Sequence, residues 1–349
     1  MKNLHIQQMR KLTIILILVL LPLVQFGQII ADHTVVDLYA DIPQRWIDSV
    51  KTKWLSVPGA SHAGALHRGL QEVQEIDASY AVSVQSSGTP TGYQTTALRS
   101  SGAMWGSFAS ETDWGYTRGR ADWWTNATAR SRVKAYLQYC DSNGPNLFAT
   151  MYGWSYDPNF DHMYGNGPYG SYDPVYHVRW AGSTVEGQDG NKPFGLDDGD
   201  SVLVGNRVTM TDYIECVNEY IQYCEDNDIK TKIIISTGPV DDNGTQGWNI
   251  NERGYQQYLK WKFIRDYVSS QDNAYFFDWA DILSYNDSGE LATTSWTDNN
   301  STLKTFPLIH PDNMEGDYIG HIGTVGSTRL GKATWWLLAR MAGWDGEPE

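Results

Sequence analysis

The chain alternates short apolar runs with longer segments in which apolar residues recur at helical spacing. Runs rich in β-branched and aromatic residues predict strands over 53–57, 80–84, 146–152, 230–236 and 274–278. Helical spacing predicts helices over 63–76, 130–140, 211–227, 255–268 and 326–341. Some strands are uniformly apolar, which is typical of a parallel sheet covered on both faces. The pattern therefore predicts the α/β class, as a three-layer α/β/α sandwich with about five parallel strands.

The first 27 residues have the pattern of a secretory signal peptide. Lys2, Arg10 and Lys11 precede an apolar run over 12–24, and small or polar residues follow it. A membrane anchor is the alternative, but the run is shorter than the ~20 residues that span a bilayer. We therefore expect residues 28–349 to form one secreted or periplasmic domain, with no stable membrane insertion after cleavage of the signal peptide.

Two stretches interrupt the alternation of strands and helices. Residues 103–127 hold several Trp side chains, and residues 158–206 are rich in Gly, Tyr, Asp and Pro without a period. Long irregular stretches in a compact domain are commonly functional loops, and the aromatic content argues against disorder. We interpret both as insertions at the carboxyl ends of the strands, where α/β proteins bind ligands.

Composition narrows the possible partners. The chain has 41 acidic and 26 basic side chains and a net charge of −15, which argues against nucleic acid or an anionic lipid surface. Aromatic residues make up 13% of the chain, including 15 Trp, which suits either a core or a surface that stacks on sugar rings. Cys140, Cys216 and Cys224 do not have zinc-binding spacing, so we expect no metal or organic cofactor. A disulfide from Cys140 and three free thiols are both open.

The junction after the first predicted strand offers a nucleophile. Gly59-Ala60-Ser61 leads into a helix, so the Ser61 hydroxyl stands at a helix N-terminus, where N–H groups favour developing negative charge. A simple helix cap is the alternative use of Ser61. Gly88 and Gly153 follow the second and third strands and leave room for a substrate. His321 precedes the last helix and is placed to supply the base that a serine hydroxyl requires.

In this chain order the motifs resemble those of the SGNH (GDSL-like) hydrolase superfamily, over roughly residues 53–344. Pro58-Gly59-Ala60-Ser61-His62 resembles the nucleophile block, with Ala60 in place of its Asp, and Ser87-Gly88-Thr89 resembles the second block. Gly153-Trp154-Ser155-Tyr156-Asp157 stands where the family has Gly-x-Asn-Asp, and Asp317 with His321 resembles the closing block. The third block lacks its Asn, and Asp317 precedes His321 by four residues instead of three.

The resemblance implies a serine hydrolase that acts on esters. It assigns Ser61 as the nucleophile, His321 as the base and Asp317 as the residue that orients the imidazole, with Asp312 in reserve. A Ser–His dyad assisted by a backbone carbonyl is the further alternative. The oxyanion would be stabilised by N–H groups from the residues at the strand ends, which are Ser61, Gly88, Gly153, Ser155 and the indole of Trp154.

We expect substrate contacts from side chains in or beside the insertions and next to Ser61. These are His62, Arg118, Trp123, Trp124, Trp154 and Asp157. The alternatives are a satellite core for the Trp rings and ion pairs with Asp neighbours for Arg118. His67 is expected on the surface of its helix.

The function expected from these features is a secreted serine esterase that removes acyl groups, such as acetyl, from a carbohydrate. Two alternatives stay open. One is a non-catalytic carbohydrate-binding protein on the same fold. The other is a glycan-cleaving enzyme that uses two carboxylates, for which the candidates are Asp157, Asp161, Asp173 and Asp281.

Overall fold

In the part of the chain that the structure describes, seven strands form a parallel sheet. The computed structural model describes residues 27–59, 61–85, 95–102, 127–154, 196, 209–240, 251–297, 301–317 and 321–348, with the backbone alone at 61, 128, 251–253 and 256. The strands are β1 (Ile29–Ala31), β2 (Trp54–Ser56), β3 (Val82–Gln85), β4 (Leu98–Ser101), β5 (Leu147–Met151), β6 (Lys232–Ser236) and β7 (Tyr275–Phe277). Their order across the sheet is β1-β7-β6-β5-β2-β4-β3, and all neighbours are parallel.

The sheet confirms the predicted α/β class but has seven strands instead of about five. The five predicted strands correspond to β2, β3, β5, β6 and β7, while β1 and β4 are additional. All residues of β4 are buried, although three of its four side chains are polar. Ser101 Oγ accepts a hydrogen bond from the Trp54 indole at 2.8 Å, and Arg99 donates to the Pro145 carbonyl at 2.6 Å. Because three of its four side chains are polar, a search of the sequence for apolar runs does not find this buried strand.

The position of β4 changes the neighbourhood of the predicted nucleophile. β4 pairs with β2 on one side and with β3 on the other. The strand that precedes Gly88 is therefore an edge strand and not the direct neighbour of β2. Gly102, directly after β4, donates its N–H to the Gln85 carbonyl at 3.2 Å and continues the pairing with β3.

The helices form two groups, each of which packs within itself, as expected when helices cover both faces of a sheet. One group contains α1 (Gln44–Lys51), α2 (Ser61–Ile76) and α7 (Thr324–Ala342). The other contains α3 (Ala127–Asn143), α4 (Met210–Asp226) and α5 (Asn251–Ser269). A short helix, α6 (Trp279–Ser284), follows β7. None of the helices in the described ranges has the length and apolar character needed to cross a membrane.

A close crossing fixes α2 against α7. A Cβ added at Gly69 of α2 would lie 1.8 Å from the Ser327 carbonyl oxygen, and one added at Gly331 of α7 would lie 2.3 Å from the Gly69 oxygen. Both distances are far below van der Waals contact, so only glycine permits the helices to approach this closely. The crossing sets where the N-terminal ends of the two helices lie, and these ends carry the candidate site.

An antiparallel hairpin follows α6 and was not predicted. It consists of β8 (Thr293–Thr297) and β9 (Leu303–Pro307). Trp296 and Phe306 pack on Tyr255 of α5, with ring centroids 5.8 and 5.7 Å away. The opposite face carries small hydroxyl side chains, with Ser295 and Thr305 Oγ atoms 3.2 Å apart. The two strands contain few apolar residues, so the sequence of this segment has no clear strand pattern.

The three cysteines lie in the second group of helices, Cys140 in α3 and Cys216 and Cys224 in α4, and all are free and buried. Burial raises the pKa of the Cys140 and Cys224 thiols to about 12 and that of the Cys216 thiol to about 11. Thiols with such pKa values carry little thiolate at neutral pH and are poor nucleophiles. Of the two alternatives left open by the sequence, the structure has the free thiols.

Candidate functional site

The candidate site lies where β2 ends and α2 begins. Ser61 is the first residue of α2 and follows β2 by a short turn. The first N–H groups of a helix have no partner within the helix, so the start of α2 can bind a negatively charged oxygen. Because the sheet is parallel, this helix start lies at the carboxyl edge, where α/β proteins bind their ligands.

Two glycines bring the turn after β2 against the end of β5. Gly59 forms a parallel bridge with Gly153. A Cβ added at Gly59 would lie 2.4 Å from the Gly153 oxygen, and one added at Gly153 would lie 2.8 Å from the Ala63 Cβ. The Gly153 N–H donates to the Pro58 carbonyl at 2.9 Å. This N–H is therefore used within the sheet, and the predicted oxyanion role of Gly153 is corrected to a role in close packing.

His321 reaches the start of α2 from the far end of the chain. Its ring centroid lies 5.1 Å from that of His62, with the ring planes tilted by 41°. His62 is the second residue of α2 and is 0% exposed, while His321 is half-buried and has a left-handed backbone with φ of 66°. The structure thus places the predicted base beside the residue that follows Ser61. The ring of His62 is buried against His321, and its predicted substrate contact stays a prediction.

The carboxylates predicted to orient His321 lie elsewhere. Asp317 is exposed, and its backbone N–H and carbonyl both bond to the Thr324 hydroxyl, at 3.0 and 3.2 Å. Asp312 accepts from the Asn286 amide at 3.0 Å and lies 3.5 Å from Nδ1 of His310. Within the described residues, neither carboxylate forms a hydrogen bond or ion pair with His321.

Trp154 belongs to the core. Its side chain is 0% exposed and makes edge contacts with Tyr152, Tyr213 and Trp261, at centroid distances of 5.2, 4.8 and 5.0 Å. Its indole N–H donates to the Ser236 carbonyl at 2.8 Å. The predicted substrate contact of Trp154 and its alternative role as an oxyanion donor are therefore both corrected.

A further histidine of α2 is buried below the candidate site. His67, expected on the helix surface, faces β4, where its Nδ1 lies 2.9 Å from the Ser100 hydroxyl. Burial lowers the pKa of His67 from 6.5 to about 4, against a smaller opposing effect of the Val57 backbone. The imidazole is neutral at pH 7, which suits a side chain that packs between a helix and the sheet.

A second histidine group lies at the same edge of the sheet, above β1 and β7. His33 follows β1, and its Nδ1 lies 2.5 Å from Oδ2 of Asp281 in α6. The His33 backbone N–H donates to the same oxygen at 2.9 Å, and the ring stacks on Tyr285 with centroids 3.5 Å apart. Sequence reasoning named Asp281 but missed His33. The available signal was the position of Asp32-His33 directly after a short apolar run.

This second group has the composition of a metal site. Ligand atoms of Asp32, His33 and Asp281 lie within 4.8 Å of one another. Their hydrogen bonds are already made, because Asp32 accepts from the N–H and hydroxyl of Thr34 while His33 pairs with Asp281. The pKa of Asp281 is raised, mainly by burial and next by the charge of Asp278. The three residues are thus a hydrogen-bonded cap on the end of β1.

Asp278 anchors the turn that carries this group. Its carboxylate accepts two hydrogen bonds from the Arg265 guanidinium, at 2.5 and 2.8 Å, and one from the Thr237 hydroxyl at 2.9 Å. It also caps α6 by accepting from the N–H of Asp281 at 3.1 Å. This network joins the carboxyl ends of β6 and β7 to the start of α6.

The remaining predicted site residues lie outside the described residues. They are Gly88, Arg118, Trp123, Trp124, Ser155 and Asp157. The same holds for nearly all of the two insertions, except that Leu196 is buried and its carbonyl accepts from the Thr211 hydroxyl at 3.0 Å. These predictions therefore stay predictions.

Comparison with known proteins does not assign the chain to a family. No model of a known protein family matches the chain, and no curated protein is significantly similar to it. The resemblance to SGNH hydrolases therefore rests on the four sequence motifs.

Proposed function

We propose that the protein is a secreted serine esterase of the SGNH type that removes acyl groups from a carbohydrate. The observation that carries the proposal is the contact between His62 and His321. It brings the imidazole that precedes α7 to the first turn of α2, where Ser61 stands. In the proposed site, Ser61 at this helix start is the nucleophile and His321 is its base.

The strand order supports the same site. The five strands β4-β2-β5-β6-β7 have the order 2-1-3-4-5 of flavodoxin-like sheets, extended by β3 and β1 at the edges. In such sheets the ligand binds at the point where the strand order reverses, which here is between β2 and β5. The bridge between Gly59 and Gly153 lies at this point. Ser61 follows Gly59 by two residues, so it begins α2 at the expected binding crevice.

The proposed reaction uses two side chains in two steps. Ser61 Oγ attacks the ester carbonyl while His321 takes its proton, and the N–H groups at the start of α2 stabilise the oxyanion. His321 then gives the proton to the leaving alcohol, and an acyl-Ser61 intermediate remains. Water attacks this intermediate, its proton passes through His321 to Ser61, and the carboxylic acid is released. Gly88 and Ser155 are the further oxyanion donors that the resemblance implies.

The carbohydrate part rests on the signal-peptide pattern and on the aromatic-rich insertions. Trp123 and Trp124 are the predicted stacking residues, with Arg118 and Asp157 as polar contacts. A net charge of −15 favours neutral or weakly charged substrates over strongly anionic polymers. Esters of neutral sugars have rings that can stack on Trp side chains, and they carry no strong negative charge.

Wild type and Ser61→Ala, assayed on acetylated glycans and on an activated acetyl ester, test the proposal. We expect Ser61→Ala to lower kcat/KM by at least about 10³-fold, as for a removed nucleophile. The exposed Ser131→Ala in α3 is the matched control and should retain wild-type activity. Equal activity of wild type and Ser61→Ala would remove Ser61 as the nucleophile. Glycan binding without turnover would favour the non-catalytic alternative.

A further inference from the structure

Two lysines share one aromatic ring at the amino ends of the strands, on the edge of the sheet opposite the candidate site. Lys53 directly precedes β2 and Lys232 begins β6, and β5 lies between these two strands. The Nζ atoms of Lys53 and Lys232 lie 5.3 and 5.0 Å from the ring centroid of Phe148 in β5. Both distances fall within the ~6 Å of a cation–π contact, so the ring keeps the two ammonium groups close together.

Neither ammonium group is balanced by a carboxylate. Among the residues that the structure describes, Lys53 and Lys232 form no ion pair. Lys332 is the comparable lysine elsewhere in the fold: its Nζ lies 5.1 Å from the ring centroid of Tyr39, but Asp37 is 3.8 Å away. In a chain with 41 acidic side chains, a pair of neighbouring lysines without a carboxylate needs an explanation.

The surroundings of Lys232 favour its neutral amine. The side chain is half-buried, and the pKa of Lys232 is lowered, mainly by burial and next by the positive charge of Lys53. The Phe148 ring attracts the ammonium form of Lys232, but it attracts Lys53 as well and so maintains the repulsion between them. A neutral lysine amine has a free electron pair and is a nucleophile, and a neighbouring cation is one of the ways in which proteins activate it.

We propose that Lys232 is a modification site for activated acyl esters, with Lys53 as the neighbour that activates it. The Nζ electron pair attacks the ester carbonyl carbon, the bond from this carbon to the leaving alcohol breaks, and the alcohol departs with a proton of the amine. The product is an uncharged amide on Lys232, so the repulsion from Lys53 ends. This inference is independent of the proposed function, because the site lies at the opposite edge of the sheet from Ser61.

Limited acetylation of the wild-type chain tests the proposal first. The reagent is N-hydroxysuccinimidyl acetate at pH 7, and peptide mass spectrometry measures the rate at each lysine. We expect Lys232 to react at least about threefold faster than Lys332 and Lys262. Lys262 is the more accessible comparison, with a 50% exposed side chain, but its hydrogen bond to Asp266 raises its pKa. A rate at Lys232 no higher than at Lys262 would overturn the proposal.

The variant Lys53→Met tests the activating neighbour, because it removes the charge and keeps a long apolar side chain. We expect acetylation of Lys232 to slow by about twofold or more, while the rate at Lys332 stays unchanged and shows that the variant is folded. Lys51→Met is the matched control, because Lys51 lies in the same segment but pairs with Asp48 at 2.8 Å. It should leave the rate at Lys232 unchanged. An unchanged rate in Lys53→Met would also overturn the proposal, and Lys53→Gln replaces this variant if it does not fold.

The same labelling in Ser61→Ala separates this inference from the esterase. We expect Lys232 to be acetylated at the wild-type rate in this variant. Loss of the label would show that the acetyl group arrives through Ser61, which would overturn direct attack by the amine. A persisting label in a protein that turns over no ester would support the modification site and refute the esterase.

Discussion

Two histidine groups stand at the same edge of the sheet and differ in what holds the imidazole. His33, above β1 and β7, has a carboxylate on Nδ1 at 2.5 Å and a ring stacked on Tyr285. His321, beside the start of α2, packs on a second imidazole, that of His62. The first group has the pairing expected of a catalytic His–Asp dyad. The second has the position expected of a catalytic base.

The difference teaches that position in the fold identifies the candidate site better than the His–Asp pairing does. β7 is three strands from β2, which is about 14 Å at the usual strand spacing. The His33 group therefore lies away from Ser61 and from the point where the strand order reverses. Its hydrogen bonds join the end of β1 to α6 and so stabilise the fold. His321 contacts His62 in the first turn of α2, which begins at the reversal point.

Exchange of each histidine for alanine should give the largest difference between the two groups. We expect His321→Ala to lower kcat/KM on the activated acetyl ester by at least about 10³-fold, because Ser61 loses its base. His33→Ala should keep kcat/KM within about tenfold, because His33 lies on the β1 side of the sheet. Steady-state kinetics at pH 7 measures both. A larger loss in His33→Ala than in His321→Ala would reverse the comparison and move the candidate site to Asp281.

The sequence predicted those elements whose residue pattern is compatible with a single kind of structure. β6 is recognisable because a central parallel strand is uniformly apolar, and Ser61 is recognisable because a strand, a small turn and a helix follow one another. β4 was missed because its buried Arg99 and serines are polar, and their hydrogen bonds to residues distant in sequence appear only in the fold. Trp154 was misassigned because a Trp ring suits a core and a sugar platform equally well.

The ring contact between His321 and His62 was beyond sequence reasoning for a geometric reason. The family pattern suggests a carboxylate a few residues upstream, and Asp317 has almost that spacing. Which side chain meets His321 depends on how α7 crosses α2, and the crossing depends on the approach at Gly69 and Gly331. These glycines have no marked pattern in the chain, so the contact emerges only from the packed helices.

His67 predicts a loss of stability in mild acid. Its folded-state pKa of about 4 lies below the ordinary 6.5, so between these values the unfolded chain binds the proton more readily. The free energy of unfolding therefore falls as pH decreases through this window and levels off below about pH 4. From pH 7 to pH 5 we expect His67 to contribute a loss of ~2 kcal/mol. Urea unfolding at the two pH values measures the total change.

The variant His67→Gln isolates this contribution. The amide keeps a hydrogen-bonding partner for Ser100 but does not titrate. The loss between pH 7 and pH 5 should shrink by ~2 kcal/mol relative to wild type. An equal loss in both proteins would show that other groups set the acid sensitivity.

The smallest expected effect concerns the carboxylate of the His33 group. Asp281 accepts the backbone N–H and the ring N–H of His33, so Asp281→Ala should lower the free energy of unfolding by about 1–2 kcal/mol at pH 7. Asp281→Asn keeps an acceptor oxygen and should cost less. Burial raises the pKa of Asp281 above its ordinary value of 3.8. The folded protein therefore binds this proton more tightly than the unfolded chain, and the contribution of Asp281 to the free energy of unfolding falls as pH rises from 3.8 through the raised pKa.

Asp281→Asn should therefore differ least from wild type at pH 7, because it removes the unfavourable ionisation together with the charge-assisted part of the hydrogen bonds. Urea unfolding at pH 4 and pH 7 measures the cost of ionisation and the contribution of the hydrogen bonds. The control is the exposed Asp317→Ala, whose free energy of unfolding should lie within about 0.5 kcal/mol of wild type. If Asp281→Ala were as stable as Asp317→Ala while kcat fell, the carboxylate of the His33 group would serve catalysis instead of holding β1, and the contrast with His321 would fail.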